Sequence, residues 1–156
     1  MGYDLHCRTA DFRFGICDFP KVLKLALCFD WIPKGTIEWD DEKNCEKVGG
    51  YLYNEYQYVT PEDAFELAEA LERALEQLPE LNSTGEPMRY PRTLVIGDEP
   101  FGTIVRGIFA ESEMGLYIPD QEERSRLLYE FGNKDDRDYL REFVAFCRIG
   151  TGFTIS

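Results

Sequence analysis

Thr60-Pro61-Glu62-Asp63-Ala64-Phe65-Glu66-Leu67-Ala68-Glu69-Ala70-Leu71-Glu72-Arg73-Ala74-Leu75-Glu76-Gln77-Leu78 is the stretch on which the reading of this chain turns. Threonine is a preferred helix cap, proline is tolerated at the first helical position, and an acid three residues after the cap completes a capping box. Ala64, Leu67, Ala68, Leu71, Ala74, Leu75 and Leu78 then recur at helical spacing without a gap. The pattern predicts a helix over 61–78, stopped by Pro79. One face is apolar. The other carries Glu62, Glu66, Glu69, Glu72, Glu76 and Glu80, with Arg73 as its only base. Such a helix needs a partner layer for its apolar face, so the neighbouring segments decide the fold class.

Upstream, Tyr51-Leu52-Tyr53-Asn54-Glu55-Tyr56-Gln57-Tyr58-Val59 alternates as a hairpin would. With Asn54-Glu55 as the turn, Tyr53 would face Tyr56 and Tyr51 would face Tyr58, lining one side of the ribbon. Residues 40–50 read as a charged loop closed by Gly49-Gly50. Asp18-Phe19-Pro20 opens an apolar helix that Pro33-Lys34-Gly35 stops, with Asp18 as cap and Trp31 and Trp39 on either side of that stop. Residues 1–16 alternate loosely, as one or two short strands do.

Downstream, 82–91 is a loop by composition, and 93–96, 103–109 and 116–118 read as short strands. Gly97-Asp98-Glu99-Pro100-Phe101-Gly102 between them is a turn, without the lysine of a phosphate loop. Asp120 and Glu123 form a second cap pattern, for a helix containing Leu127, Leu128 and Phe131 that Gly132-Asn133 ends. A last helix over 137–149 presents Leu140, Phe143, Val144 and Cys147. Gly150 stops it, and Phe153 and Ile155 alternate in the tail. No repeat or linker divides residues 1–156, so the expectation is a single α+β domain, helix-rich, with a small antiparallel sheet.

The charge is lopsided. Thirty acids against seventeen bases give −13, while residues 1–37 and 124–156 each sum to +1, leaving −15 on residues 38–123. A field of that sign repels nucleic-acid backbone and anionic membrane and favours a cationic partner. No run approaches the roughly 18 apolar residues of a membrane span. The start of the chain reads as lacking a signal peptide. Five cysteines, an odd number at spacings unlike zinc sites, point to reduced thiols and a cytoplasmic location.

No motif specifies a reaction. His6-Cys7 holds the residue types of a nucleophilic pair, but strand neighbours point to opposite faces, so His6 would need another thiol, such as Cys17. Asp40-Asp41-Glu42 and Asp98-Glu99 are adjacent acids, which usually form solvated loops and lack calcium-loop spacing. Neither a metal nor a cofactor is expected. The tyrosines (Tyr51, Tyr53, Tyr56, Tyr58) and the acidic helix face (Glu66, Glu69, Glu72, Glu76) have two readings. They form an interface for a basic protein, or they are ordinary core packing and a solvated helix face.

Two segments carry a resemblance. Val59-Thr60-Pro61-Glu62-Asp63-Ala64 running into Leu67-Ala68-Glu69-Ala70-Leu71-Glu72-Arg73-Ala74-Leu75 is one, and Leu140-Arg141-Glu142-Phe143-Val144-Ala145-Phe146-Cys147-Arg148 with Gly150, Gly152 and Phe153 is the other. Together they resemble a group of small, acidic bacterial proteins of uncharacterised function. The resemblance implies a bacterial, cytoplasmic, helix-rich domain and no particular activity. The expected function is a non-enzymatic binding module of the immunity or inhibitor type, neutralising a basic partner. The alternative is a small enzyme or ligand binder assembled from His6, one of Cys7, Cys17 or Cys45, and acids near Asp98.

Overall fold

Alternation near the start of the chain becomes a hairpin. The computed structural model describes residues 2–87 and 118–156, and in it β1 (Gly2–His6) pairs antiparallel with β2 (Asp11–Gly15), Tyr3 opposite Phe14 and Leu5 opposite Phe12. Tyr3, Leu5 and Phe14 are buried, while Asp4, His6, Asp11 and Arg13 occupy the other side of the pleat. Helix α1 (Asp18–Leu27) follows. Its cap is Cys17, one residue before the expected Asp18, and it ends well short of Pro33. The early stop is set in the turn that follows and held from elsewhere in the chain. Asp30 takes a left-handed φ of 70°, and the Phe29 and Trp31 amides both fall back on the Ala26 carbonyl. The Phe29 carbonyl is held by Arg73, through Nε at 3.0 Å and an Nη at 2.6 Å.

The charged segment 40–50 is not a loop. β3 (Thr36–Asp40) and β4 (Cys45–Gly49) form a second hairpin, Trp39 opposite Glu46 and Ile37 opposite Val48. Asp40 Oδ1 turns the chain by accepting from the Glu42 and Lys43 amides, and Asn44 supplies a left-handed residue at φ 51°. β4 is an edge strand with only Gly49 buried, so it has no apolar alternation to read.

The tyrosine hairpin does not form either. Residues 51–56 bend, with Tyr56 at φ 60°, and only β5 (Gln57–Val59) is a strand. It pairs with β3 at Ile37–Tyr58 and with β6 (Phe153–Ile155), which also joins β1. The resulting six-stranded antiparallel sheet has the order β2-β1-β6-β5-β3-β4.

Helices α2 (Pro61–Glu76), α3 (Gln121–Glu130) and α4 (Lys134–Cys147) complete an α+β fold. Thr60 caps α2 and Asp120 caps α3, accepting from the Asp63 and Glu123 amides. Helix α4 starts three residues before the expected 137, because Asn133 caps it at 2.9 Å from the Asp136 amide. The helices bury their apolar stripes on one side of the sheet. Phe14 meets Phe19 of α1 at 5.3 Å and Phe143 of α4 at 4.8 Å, and Phe143 meets Phe153 of β6 at 6.2 Å, all within the range of favourable ring pairs. The strands expected at 93–96 and 103–109, residues 116 and 117 of the third, and the turn at 97–102 lie outside the described residues, and Ile118 is not in a strand.

Candidate functional site

Strand register sets two rows of side chains across the sheet face opposite the helices. The first runs Asp11, His6, Thr154, Tyr58, Ile37, Val48, one residue from each strand. In the second, Arg13 lies opposite Asp4, Asp4 exchanges two backbone hydrogen bonds with Ser156, and Trp39 lies opposite Glu46. The face therefore divides by chemistry. Its β2-β1-β6 half is polar; its β5-β3-β4 half presents Tyr58, Ile37, Trp39 and Val48. Trp39 is 56% exposed and Val48 55% exposed. Large apolar side chains grouped at such exposure mark interaction surfaces more often than scattered ones do. Around them the β3–β4 hairpin supplies Asp41, Glu42 and Glu46 against Lys43, while Glu38, Asp40 and Lys47 alternate to the other face. Residues 38–87 as a whole hold fourteen acids and three bases.

The four tyrosines are dispersed. Tyr51 is 1% exposed, deep in the core. The Tyr53 hydroxyl accepts from the Gly50 amide at 2.7 Å. Tyr56 is exposed, and Tyr58 lies on the open face with its hydroxyl donating to the Thr151 carbonyl at 2.5 Å. The four helix glutamates do share one polar side of α2. Two are already engaged within the chain: Glu66 pairs with Lys34 at 2.5 Å, and Glu72 takes the Arg148 guanidinium through both oxygens at 2.7 and 2.8 Å. That contact holds the Glu72 carboxyl below its ordinary range and raises Arg148. Glu69 and Glu76 make no ion pair among the described residues.

Tyr51 is buried because of Asp63. The Tyr51 hydroxyl donates to Asp63 Oδ2 and accepts from the Gly35 amide at 3.0 Å, while Trp31 Nε1 donates to Asp63 Oδ1 at 3.0 Å. Asp63 is fully buried, and it is not the capping-box acid expected from its position. Instead it pins the α1–β3 connection and residue 51 to the first turn of α2. Burial pushes its carboxyl above the usual range, against the opposing pull of the Tyr51 and Trp31 donors.

His6 has partners other than the thiol that the enzyme alternative would need. Its Nδ1 lies 2.8 Å from Asp11 Oδ1 and its Nε2 lies 2.9 Å from Ser156 Oγ. Cys7 points the other way and packs against the core. Cys17 and Cys45 are exposed. Burial pushes the Cys28 thiol up to about 12 and raises that of Cys147. The acids at 98 and 99 lie outside the described residues. Sequence reasoning missed Ile37, Trp39 and Val48 as a surface, although Thr36-Ile37-Glu38-Trp39 alternates. It also missed Asp11 and Ser156, which only the register brings to His6. Among the described residues no helix is long and apolar enough to cross a membrane. Compared with known proteins, the chain matches no family model, no curated protein and no solved structure, so a functional reading rests on the geometry of the open face.

Proposed function

We propose that this chain is a protein-binding module of the immunity or inhibitor type, acting in the cytoplasm and neutralising a basic partner. Its docking surface is the apolar half of the open sheet face. The observation that carries the reading is the grouping of Ile37, Trp39, Val48 and Tyr58 inside a strongly acidic surround. An apolar centre with a charged rim matches the anatomy of protein interfaces, where aromatic residues supply affinity and rim charges supply encounter rate. Tyr56 adds an exposed ring beside Tyr58. Glu69 and Glu76 lie on α2, on the far side of the sheet, and add only to the long-range negative field, with Glu66 and Glu72 partly neutralised by Lys34 and Arg148.

Parallel affinity capture with the wild type and Trp39→Glu tests this. The expected result is a basic protein retained by the wild type, released at moderate salt as screening sets in, and absent from the variant lane. A partner retained equally by both proteins overturns the docking surface. Charge reversal at Glu66, Glu69, Glu72 and Glu76 separately tests the helix, and binding that survives it removes α2 from the interface.

A further inference from the structure

The polar half of the open face holds an arrangement that docking leaves unused. Asp11, His6 and Ser156 form a hydrogen-bonded chain in which the carboxylate meets Nδ1 at 2.8 Å and the hydroxyl meets Nε2 at 2.9 Å. The register builds it. Asp11 is the direct cross-strand partner of His6, and Ser156 sits opposite Asp4, diagonal to His6 on the same face. A carboxylate only accepts, so Nδ1 carries the proton and Nε2 presents its lone pair to the serine hydroxyl. That is the tautomer a general base needs.

We infer that Ser156, His6 and Asp11 constitute an acyl-transfer site for esters with a good leaving group. Ser156 Oγ bonds to the ester carbonyl carbon as its proton passes to His6 Nε2. The bond from that carbon to the leaving oxygen then breaks, and the leaving oxygen takes the proton from His6. Water, deprotonated by the same nitrogen, attacks the acyl-serine, releases the acid and restores the hydroxyl. Asp11 acts as a positioning residue, fixing the tautomer and the ring.

Two features set the substrate class. The Ser156 amide is donated to the Asp4 carbonyl at 2.8 Å, so the nucleophile's own N–H cannot hold a developing oxyanion. The substrate must bring its own activation, which selects aryl esters over amides. A shallow cleft of about 580 Å³ opens beside His6 on the side away from Ser156, lined by Arg8, Tyr58, Gly152 and Thr154 among others. The aryl ring of a leaving group whose oxygen stays at Nε2 extends past the His6 ring into that cleft, where it meets Arg8, the one arginine or lysine in the lining and without an ion pair among the described residues.

The test uses p-nitrophenyl acetate turnover together with labelling by a fluorophosphonate, mapped by peptide mass. The expected result is a single adduct at Ser156 and turnover that Ser156→Ala abolishes. His6→Gln should lower turnover about 100-fold or more. Asp11→Asn should lower it as well, and Asp11→Glu should restore it, which a merely structural contact between exposed strands would not do. All these side chains are on the surface, and unchanged circular dichroism verifies folding. An adduct elsewhere, or equal turnover in the wild type and Ser156→Ala, overturns the site. Labelling and turnover are read on the isolated protein with no partner present, so failure of the docking surface and failure of this site are told apart.

Discussion

Asp63 is the residue on which most of the local order depends. It answers the Trp31 and Tyr51 donors in a place water does not reach, and a lost acceptor there costs about 1–3 kcal/mol for each donor stranded. Asp63→Asn keeps the shape but turns an amide N–H toward the Tyr51 hydroxyl, so it should lower stability by about 1–3 kcal/mol at neutral pH in urea unfolding. The pH dependence has a definite sign. The folded carboxyl holds its proton to higher pH than the ordinary value of 3.8, so the folded state binds more protons between that value and its raised one. Stability from this group therefore falls as pH rises through that window and is lowest above it. The destabilisation by Asp63→Asn should accordingly be larger at pH 4 than at pH 7, and the reverse order would remove the buried-carboxyl account. The surface pair Glu72–Arg148 behaves oppositely. Its contribution, a few tenths of a kcal/mol for such an exposed contact, is present above the ordinary glutamate range and fades as pH falls.

At the scale of elements, two positions set how α4 begins and how the chain leaves it for β6. Gly152 has φ 68°, and a Cβ there would collide with the Val59 carbonyl across the β5–β6 pair. Gly152→Ala should cost about 1–3 kcal/mol from the backbone conformation alone, and thermal unfolding would register it. Asn133→Ala, which removes the α4 cap, should cost about 1 kcal/mol. Elements with a strong internal pattern were legible in the sequence: α2 from its cap and stripe, α3 from Asp120, and the first two strands from their parity. What escaped had its cause elsewhere in the chain. The α1 terminus depends on Arg73, forty-four residues from the carbonyl it holds. β4 lies on an edge with no buried face to read, and Tyr51 leaves the expected ribbon because Asp63 draws its hydroxyl inward. Site residues followed the same rule. The helix glutamates could be placed on one face from spacing alone, while Asp11 meets His6 through the β1–β2 register and Ser156 meets it across 150 residues of sequence.

For the whole molecule, the asymmetry between a helix-covered face and an open face makes solution behaviour predictable. Trp31 is buried and Trp39 exposed, so acrylamide should quench two populations, and partner binding should protect the Trp39 population alone. A single homogeneous quenching curve in the free protein would contradict the open face. The thiols divide likewise: Cys17 and Cys45 should react promptly with a disulfide reagent, while Cys28 and Cys147 should react only on unfolding. The strand order has a further consequence, for synthesis. β6 lies between β1 and β5, yet it is the last of the six strands to leave the ribosome. Until it emerges, the nascent chain holds two half-sheets, β2-β1 and β5-β3-β4, each with an unpaired inner edge awaiting the same three residues. Nascent edges of this kind are what chaperones shield, and a chain stalled before Phe153 would expose both at once.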